Sequence, residues 1–133
     1  MQNEIRTPIS SDSDIVIARQ RGREFANHLG FDLGDLTIIA TAISELSRNI
    51  VEYAQKGEII LRDVQKGNKK GMEIVAQDSG PGIADVNLAL QDGYSTRKSL
   101  GLGLPGTRRL MDEFEISSRP GNGTIVTVRK WET

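Results

Sequence analysis

One long amphipathic helix constrains the fold of this chain more than any other feature of its sequence. Across residues 35–55, apolar side chains recur every three or four positions for about five turns, and Gly57 follows just past the expected end. Because such a stripe must be buried against another apolar surface, the pattern predicts a helix that packs on a second helix or a sheet. The stripe consists of Leu36, Ile39, Ile43, Leu46, Ile50 and Ala54.

A strand and another amphipathic helix are predicted before this stripe. Residues 4–9 read as an edge strand, where Pro8 would be tolerated although a central strand would exclude it. Residues 11–14 supply capping side chains and first-turn acids, and apolar residues continue at helical spacing until Gly30. Gly22 falls on the apolar stripe, where the missing side chain would let another backbone come close.

The second half of the chain reads mainly as strands. Runs of Ile, Leu and Val at residues 58–64 and 72–78 predict an antiparallel pair, with residues 65–71 as a loose polar loop. Strands at residues 115–118 and 124–131 would flank a Gly- and Pro-containing turn as a terminal hairpin.

A third helix is predicted between these two strand pairs, at residues 106–113. Pro105 suits its first turn, and Leu104, Leu110 and Met111 can face the core. A weak helical turn at 85–90 and a mobile loop at 91–100 would precede it. The resulting order, β α α β β α β β, predicts an α+β fold in which helices cover one face of a mostly antiparallel sheet.

Composition excludes several kinds of site. The 133 residues include no cysteine, which excludes disulfides, thiolate metal sites and cysteine nucleophiles, and a single histidine, His28, disfavours histidine-rich metal sites. A net charge of −1 gives no uniform basic field for nucleic acid or a membrane surface. Without a membrane-length apolar stretch or a signal-peptide core, we expect one cytoplasmic domain over residues 1–133.

Two polar residues on the long helix form the first candidate site. Glu45 and Asn49 stand four positions apart, so they project from neighbouring turns on one side of the helix. A carboxylate and an amide oxygen placed there could polarise a nucleophile and hold a hard cation such as Mg²⁺. On spacing alone, a solvated helix face that Arg48 and Glu52 complete is the more common alternative.

A second candidate follows a predicted strand directly. Asp78 ends an apolar run, and Gly80 and Gly82 would let a ligand approach the backbone beside it. An ionised carboxylate only accepts hydrogen bonds, so it could pair with an exocyclic amine such as that of adenine. A turn that the Asp78 side chain caps explains the same residues.

A glycine-rich string supplies a third candidate. Six of the 14 glycines fall within residues 80–106, and three of them form a G-x-G-x-x-G pattern. The pattern does not fit a dinucleotide fold, since it follows a polar loop and lacks an acid about 20 residues later. Backbone N–H groups opening into a helix could hold a phosphate chain, although a plain loop-to-helix junction is the alternative. The string contains Gly101, Leu102, Gly103, Leu104 and Gly106.

Other polar residues could support a nucleotide. Arg97 and Lys98 could close on terminal phosphates, or either could be a solvated loop charge, and Thr124 could donate a hydroxyl or serve the hairpin turn. The Walker A string and the eukaryotic-type kinase strings are absent, which disfavours two common ATP folds.

The order of these motifs resembles the ATP-binding fold shared by gyrase, Hsp90, histidine kinases and MutL, the GHKL or Bergerat fold. That resemblance implies a two-layer α/β sandwich with a mixed, mostly antiparallel sheet. It further implies that Glu45 is the general base, Asn49 binds magnesium and Asp78 bonds the adenine amino group. Residues 101–106 would form a phosphate-contacting lid hinge, and Thr124 would lie near the adenine.

Within that superfamily, residues 41–50, 78–83 and 104–114 closely resemble the stand-alone serine kinases of bacterial partner-switching pathways, the stressosome switch kinases. This resemblance, over roughly residues 14–131, implies a Mg-ATP-dependent kinase that phosphorylates STAS-domain scaffold proteins. After release, such a kinase activates a PP2C-type phosphatase or another output protein. Related anti-sigma kinases have an arginine just before the glycine string, where this chain has Ser99 and Leu100. A nucleotide-gated anti-sigma or activator module with little kinase activity is the alternative.

Overall fold

The structure, a computed structural model, describes residues 4–80, 103–118, 121 and 123–132. In this part of the chain, three α-helices and one π-helical turn pack with five strands. The helices are α1 (Asp12–Leu29), α2 (Leu33–Asn49) and α3 (Gly103–Leu110), and the π turn is Ile50–Ala54. The strands are β1 (Glu4–Ile9), β2 (Gly57–Lys66), β3 (Lys69–Asp78), β4 (Glu113–Ser118) and β5 (Thr124–Trp131).

All five strands belong to one sheet in the order β1-β2-β3-β5-β4. Each of the four pairings is antiparallel, so no parallel pair of a mixed sheet occurs in the described part of the chain. The predicted element order and the α+β class are confirmed. β1 is an edge strand, as the position of Pro8 predicted.

β2 and β3 pair over their full length, which corrects the predicted loop at residues 65–71. The register runs from Gly57 opposite Asp78 to Lys66 opposite Lys69, so only residues 67 and 68 form the turn. Gly67 supplies the positive φ, +61°, that a two-residue hairpin turn requires. Residues 65–70 are polar, as loop residues often are, but here they are polar because they form the exposed outer end of a hairpin.

α1 and α2 pack closely against each other and on the sheet. A Cβ atom at Gly22 would overlap the Cδ1 atom of Ile43, so the two helices approach as closely as they do because Gly22 has no side chain. The sequence predicted a close approach at this glycine, but the neighbour is the Ile43 side chain rather than the predicted backbone. The apolar faces of both helices and alternate strand residues form the core, which includes Ile9, Ala26, Ile39, Ile43, Leu46, Ile59, Leu61, Met72, Ile74 and Val128.

The regular part of α2 is shorter than the predicted helix at residues 35–55. It begins after Asp32, whose side chain accepts a hydrogen bond from the Asp35 N–H at 2.8 Å, and it ends at Asn49. The π turn then carries the chain to Gln55, which takes a positive φ of 70°. Gly57 was predicted to follow the helix end as its cap, but it is instead the first residue of β2.

α3 also differs from its prediction, because it starts and ends three residues before the expected 106–113. It ends early because Glu113 already begins β4, which had been expected to start at residue 115. The predicted helical turn at 85–90 and the loop at 91–100 lie outside the described residues. Among the helices that the structure does describe, none has the length and apolar character needed to cross a membrane.

A row of alternating charges crosses the sheet face opposite the helices. Glu4, Arg62, Glu73, Arg129 and Glu113 stand opposite one another on β1, β2, β3, β5 and β4. The central Glu73 carboxylate is only 8% exposed and lies 3.1 Å from Arg62 and 2.9 Å from Arg129. Since opposite charges face each other at each step, the row stabilises one register of all five strands.

The carboxylates at the two ends of this row are stabilised in their ionised form. Hydrogen bonds from Arg62 and then Arg6 lower the pKa of Glu4. A hydrogen bond from the Trp131 indole N–H, at 2.6 Å, and a further one from Arg129 lower the pKa of Glu113. Both shifts follow from donors that bind the charged form.

The free edge of β1 is partly covered by α1. The Arg21 guanidinium donates to the backbone carbonyl of Arg6 at 3.3 Å and to the hydroxyl of Thr7 at 3.1 Å. Pro8 contributes no N–H to this strand. Along this edge strand, the carbonyl of Arg6 is therefore already bonded, and Pro8, two residues later, has no N–H to donate.

We expect Gly22→Ala to lower the free energy of unfolding by up to about 2 kcal/mol, because overlap of the added methyl group with Ile43 costs about 1–3 kcal/mol while alanine gains about 0.5–1 kcal/mol over glycine within a helix. Ile43→Val removes the Cδ1 atom in that overlap and by itself should cost about 0.5–1.5 kcal/mol. The double variant should therefore lose less stability than the sum of the two. Urea unfolding measures all three, with the exposed Gln20→Ala as control; full additivity would contradict the contact.

We expect acid to destabilise the protein partly through Glu113. A carboxylate with a lowered pKa in the folded state adds stability above its ordinary pKa of 4.5, and this stability is lost as the pH falls through the folded value. In Glu113→Gln, the free energy of unfolding should therefore fall less steeply below pH 4.5 than in the original chain. Urea unfolding across this range measures the slope. Glu115→Gln is the control because that side chain is 70% exposed; equal slopes for Glu113→Gln and the original chain would refute the expectation.

Candidate functional site

The candidate residues lie at one end of the sheet, where α2 ends. The π turn that follows Asn49 packs on β2 and β3. Its first residue, Ile50, is close to Gly57, and Gly57 pairs with Asp78. The C-terminal end of α2 and the last residue of β3 therefore face the same part of the structure.

Asp78 is held in place by backbone donors. Its Oδ1 atom accepts hydrogen bonds from the N–H of Gly80 at 2.9 Å and from the N–H of Thr124 at 3.3 Å. The bond from Gly80 forms the turn, capped by the Asp78 side chain, that the sequence analysis gave as the alternative to a ligand site. That turn occupies Oδ1 alone, and within the described chain no donor contacts Oδ2, which remains available to accept from a ligand.

Gly80 is required by a close approach between the Asp78 turn and the π turn. A Cβ atom at Gly80 would lie 2.5 Å from the Cβ and 2.7 Å from the Cα of Ala54. The glycine therefore lets the chain after β3 pass directly against the π turn. The predicted partner in this motif, Gly82, lies outside the described residues.

Glu45 is buried rather than solvated, contrary to the alternative from helix spacing. It is 4% exposed, and its Oε1 atom lies 3.6 Å from the Arg48 guanidinium. Its Oε2 atom is buried and has no hydrogen-bond partner in the described chain. A buried acceptor without a partner costs about 1–3 kcal/mol, so its retention points to a role with a ligand.

Further unsatisfied polar groups surround Glu45. In the described part of the chain, the buried side-chain oxygens without a partner all lie within residues 45–52, on Glu45, Ser47 and Glu52. The sequence analysis did not single out Ser47, and it placed Glu52 on a solvated face. Their burial depends on the packing of α2 and the π turn, which helical spacing alone did not reveal.

Asn49 is the residue of this set that fits a magnesium ion. It is half-buried at the end of α2, one helical turn beyond Glu45. The described residues contain no cluster of three His, Asp or Glu side chains that would form a protein-only metal site. Mg²⁺ is usually bound by one or two oxygen ligands of the protein together with phosphates and water, so an amide oxygen beside a nucleotide suits it.

The glycine string is described only in part. Gly103 is the first residue of α3, and Gly106 is buried within that helix, which packs against α2. The Leu104 side chain is 8% exposed and belongs to the core, so only its backbone could face a phosphate. Gly101 and Leu102 lie outside the described residues, as do the predicted phosphate contacts Arg97 and Lys98.

Thr124 begins β5 directly opposite Asp78, as a residue near the same ligand would. Its hydroxyl oxygen lies 2.8 Å from that of Ser118, which also donates to the Gly123 carbonyl at 3.1 Å. The sequence analysis did not identify Ser118. Its position at the end of β4 across a hairpin turn from Thr124 is the signal that could have found it.

The site thus combines a fixed carboxylate acceptor at the sheet end with a buried carboxylate and an amide on α2. The Asp78 carboxylate can accept a hydrogen bond from a ligand, because backbone N–H groups hold its Oδ1 atom and no donor of the described residues contacts its Oδ2 atom. The second pair can accept a proton and bind a phosphate-associated cation.

A family model and individual relatives both show which known proteins this chain is similar to. Residues 10–130 match the family described as "Histidine kinase-like ATPase domain". The chain is 49% identical over 131 residues to the serine/threonine-protein kinase RsbT of Bacillus subtilis, covering 98% of each chain. It is 33% identical to the anti-sigma F factor of Caldanaerobacter subterraneus, over 92% of this chain and 89% of that protein.

A solved structure supports the fold. The crystal structure of the RsbU and RsbW domains of Rv1364c from Mycobacterium tuberculosis matches 98% of this chain with a TM-score of 0.64. The chain spans 32% of that longer protein, with 22% sequence identity. At this identity the similarity concerns the fold.

We expect Gly80→Ala to lower the free energy of unfolding by about 1–3 kcal/mol, because the added methyl group overlaps Ala54. Gly34→Ala is the matched control: it lies in the first turn of α2 with only an ordinary 3.5 Å contact to Asp32, and there alanine should stabilise the helix. Urea unfolding compares the two. A Gly80→Ala variant as stable as the original chain would show that the two turns do not touch.

Proposed function

The chain belongs to the histidine kinase-like ATPase domain family, and from this premise we propose a Mg-ATP-dependent protein kinase that phosphorylates serine or threonine in a partner-switching pathway. Its proposed substrates are STAS-domain scaffold proteins, and its proposed output partner is a PP2C-type phosphatase or another downstream protein. Cytoplasmic location is part of the same proposal.

The enzyme class, a protein-serine/threonine kinase of GHKL type, rests on the similarity to RsbT over nearly the whole length of both chains. The substrates and the output partner rest on the motif strings at residues 41–50, 78–83 and 104–114, which resemble the stressosome switch kinases. The observation that carries the catalytic part of the proposal is the buried Glu45 carboxylate with its unpaired oxygen.

Asp78 positions the nucleotide. Its anchored carboxylate accepts a hydrogen bond from the exocyclic amine of adenine, with Thr124 beside it on the neighbouring strand. Gly80 keeps the chain close to the π turn, so the base enters beside the backbone rather than against a side chain. The phosphates then extend toward the glycine string and the start of α3.

Glu45 takes the proton of the acceptor hydroxyl. The proton moves to Oε2, the seryl or threonyl oxygen forms a bond to the γ-phosphorus, and the bond from that phosphorus to the bridging oxygen breaks to release ADP. Arg48 lies against the other carboxylate oxygen, which orients Oε2 as the accepting atom. Burial of Glu45 to 4% exposure keeps bulk water from competing for that atom.

Asn49 is the proposed magnesium ligand, four residues after the base on the same side of α2. When bound, Mg²⁺ neutralises charge on the phosphates and helps to orient them. The spacing of the two residues places the cation ligand and the base on adjacent turns, where one triphosphate can reach both.

A nucleotide-gated binding module is the second candidate function. It is favoured by the relatives that are named anti-sigma F factors, two of which are 31% and 33% identical to this chain. In this case ATP would control complex formation and little phosphate would be transferred. The same site geometry serves both functions, so only a measurement of transfer separates them.

We expect the chain, incubated with γ-labelled ATP, Mg²⁺ and a STAS-domain partner, to place label on a serine or threonine of the partner. Glu45→Ala should reduce the rate about 10²- to 10⁴-fold, since it removes the base, while ATP affinity measured by calorimetry stays similar. Glu24→Ala, an exposed change on α1, is the control.

The outcomes of this experiment separate the proposals. Unreduced transfer by Glu45→Ala would contradict the assignment of the base. ATP-dependent complex formation without label on the partner would support the binding module instead of the kinase.

A further inference from the structure

Three polar side chains form a row across the end of the sheet. Asp78 on β3 pairs with Thr124 on β5, and Thr124 pairs with Ser118 on β4. Directly paired residues of antiparallel strands present their side chains on the same face. Ala76 and Val126, one step further into the sheet on that face, belong to the hydrophobic core. The row therefore lies on the face that the helices cover, where α2 carries Glu45 and Asn49.

The hydrogen bonds that Ser118 makes to Gly123 and Thr124 favour one direction for the Thr124 hydroxyl. A serine hydroxyl has one proton to donate. Ser118 Oγ lies 3.1 Å from the Gly123 carbonyl, which can only accept, and 2.8 Å from Thr124 Oγ1, which can donate or accept. Both contacts are satisfied when Ser118 donates to Gly123 and Thr124 donates to Ser118. The Thr124 proton then points along the row, away from Asp78.

We propose that Ser118 is a positioning residue for nucleotide-base specificity, because it holds the Thr124 hydroxyl so that only oxygen lone pairs face the base. The inference rests on the proposed function, since it assumes that Asp78 and Thr124 line a purine site. It extends that function because it makes Ser118, a β4 residue that need not touch the nucleotide, responsible for selecting the group at purine position 6.

The chemistry of the purine edge makes this orientation selective. Adenine carries an amine at position 6, which donates, whereas hypoxanthine carries a carbonyl, which accepts. Because no donor of the described chain contacts Asp78 Oδ2, and because Thr124 donates its proton to Ser118 in this arrangement, both side chains offer acceptors. The amine of adenine can donate to these two acceptors. The carbonyl of hypoxanthine would instead place a third acceptor against them, and such a mismatch discriminates strongly between ligands.

Loss of Ser118 should release this constraint. In Ser118→Ala, the Thr124 hydroxyl can rotate and donate to a carbonyl, so the preference for ATP over inosine triphosphate should fall by about 3- to 10-fold, the value of one hydrogen bond. Ser118→Thr keeps a hydroxyl at the same place and should retain the preference. Ser117→Ala, an exposed neighbour on the opposite face, is the matched control.

The experiment is calorimetric titration of the full chain with Mg-ATP and with Mg-inosine triphosphate, after urea unfolding has shown that each variant is folded. The measured quantity is the ratio of the two dissociation constants, which a general loss of stability would leave unchanged. Thr124→Val removes the hydroxyl altogether and tests separately whether that hydroxyl contributes to the ratio of dissociation constants. In the Thr124→Val background, Ser118→Ala should change the ratio no further, because Ser118 acts only through Thr124.

Three results would overturn the inference. If Ser118→Ala keeps the original ratio while the unaltered chain prefers ATP, Ser118 does not position Thr124. If Ser118→Ala changes the ratio equally with and without the Thr124 hydroxyl, it acts by another route. If the unaltered chain binds neither nucleotide, the proposed ATP site fails, and the specificity proposal fails with it.

Discussion

The site depends on the register between β2 and β3. Gly57 opposite Asp78 fixes the end of β3 beside the π turn, and a side chain at Gly57 would meet the Gln77 carbonyl. Because successive residues of a strand face opposite sides, a slip of one residue would turn Asp78 to the charged outer face of the sheet. It would also separate the Asp78 carboxylate from the Thr124 N–H and from the end of α2. The long hairpin is thus the element that brings a helix and three strands together at one point.

Two glutamates of the described chain, Glu73 and Glu45, are less than a tenth exposed, and their carboxylates are paired differently. Glu73 is 8% exposed and has an arginine on each oxygen, so its charge is compensated and its role is to hold the sheet together. Glu45 is 4% exposed and has one arginine at 3.6 Å, with its second oxygen unpaired in the described chain. Leaving an acceptor unmatched costs stability that a purely structural residue would not need to give up. The contrast between these two sites, rather than burial itself, is what supports the proposed role of Glu45 as the base.

Much of the fold follows from patterns that the sequence displays directly. The apolar stripes predicted α1 and α2, and Pro8 predicted the edge strand. The failures lie where local polarity and tertiary pairing disagree, as in residues 65–71, which are polar because the hairpin extends beyond the helices. At the site, spacing placed Glu45 and Asn49 together but could not show that Glu45 is buried. Ser118 was not identified, although the predicted hairpin placed it across the turn from Thr124, because its hydrogen-bond partner depends on the exact strand register, which the sequence analysis did not predict.

The partly covered edge of β1 bears on whether a strand of another chain can pair with this sheet. An open strand edge is a template for pairing with another chain and hence for aggregation. Here Pro8 offers no donor, and Arg21 occupies the Arg6 carbonyl, so an incoming strand finds a broken hydrogen-bond ladder. The edge that β1 presents is therefore a poor template for pairing with a second copy of this chain.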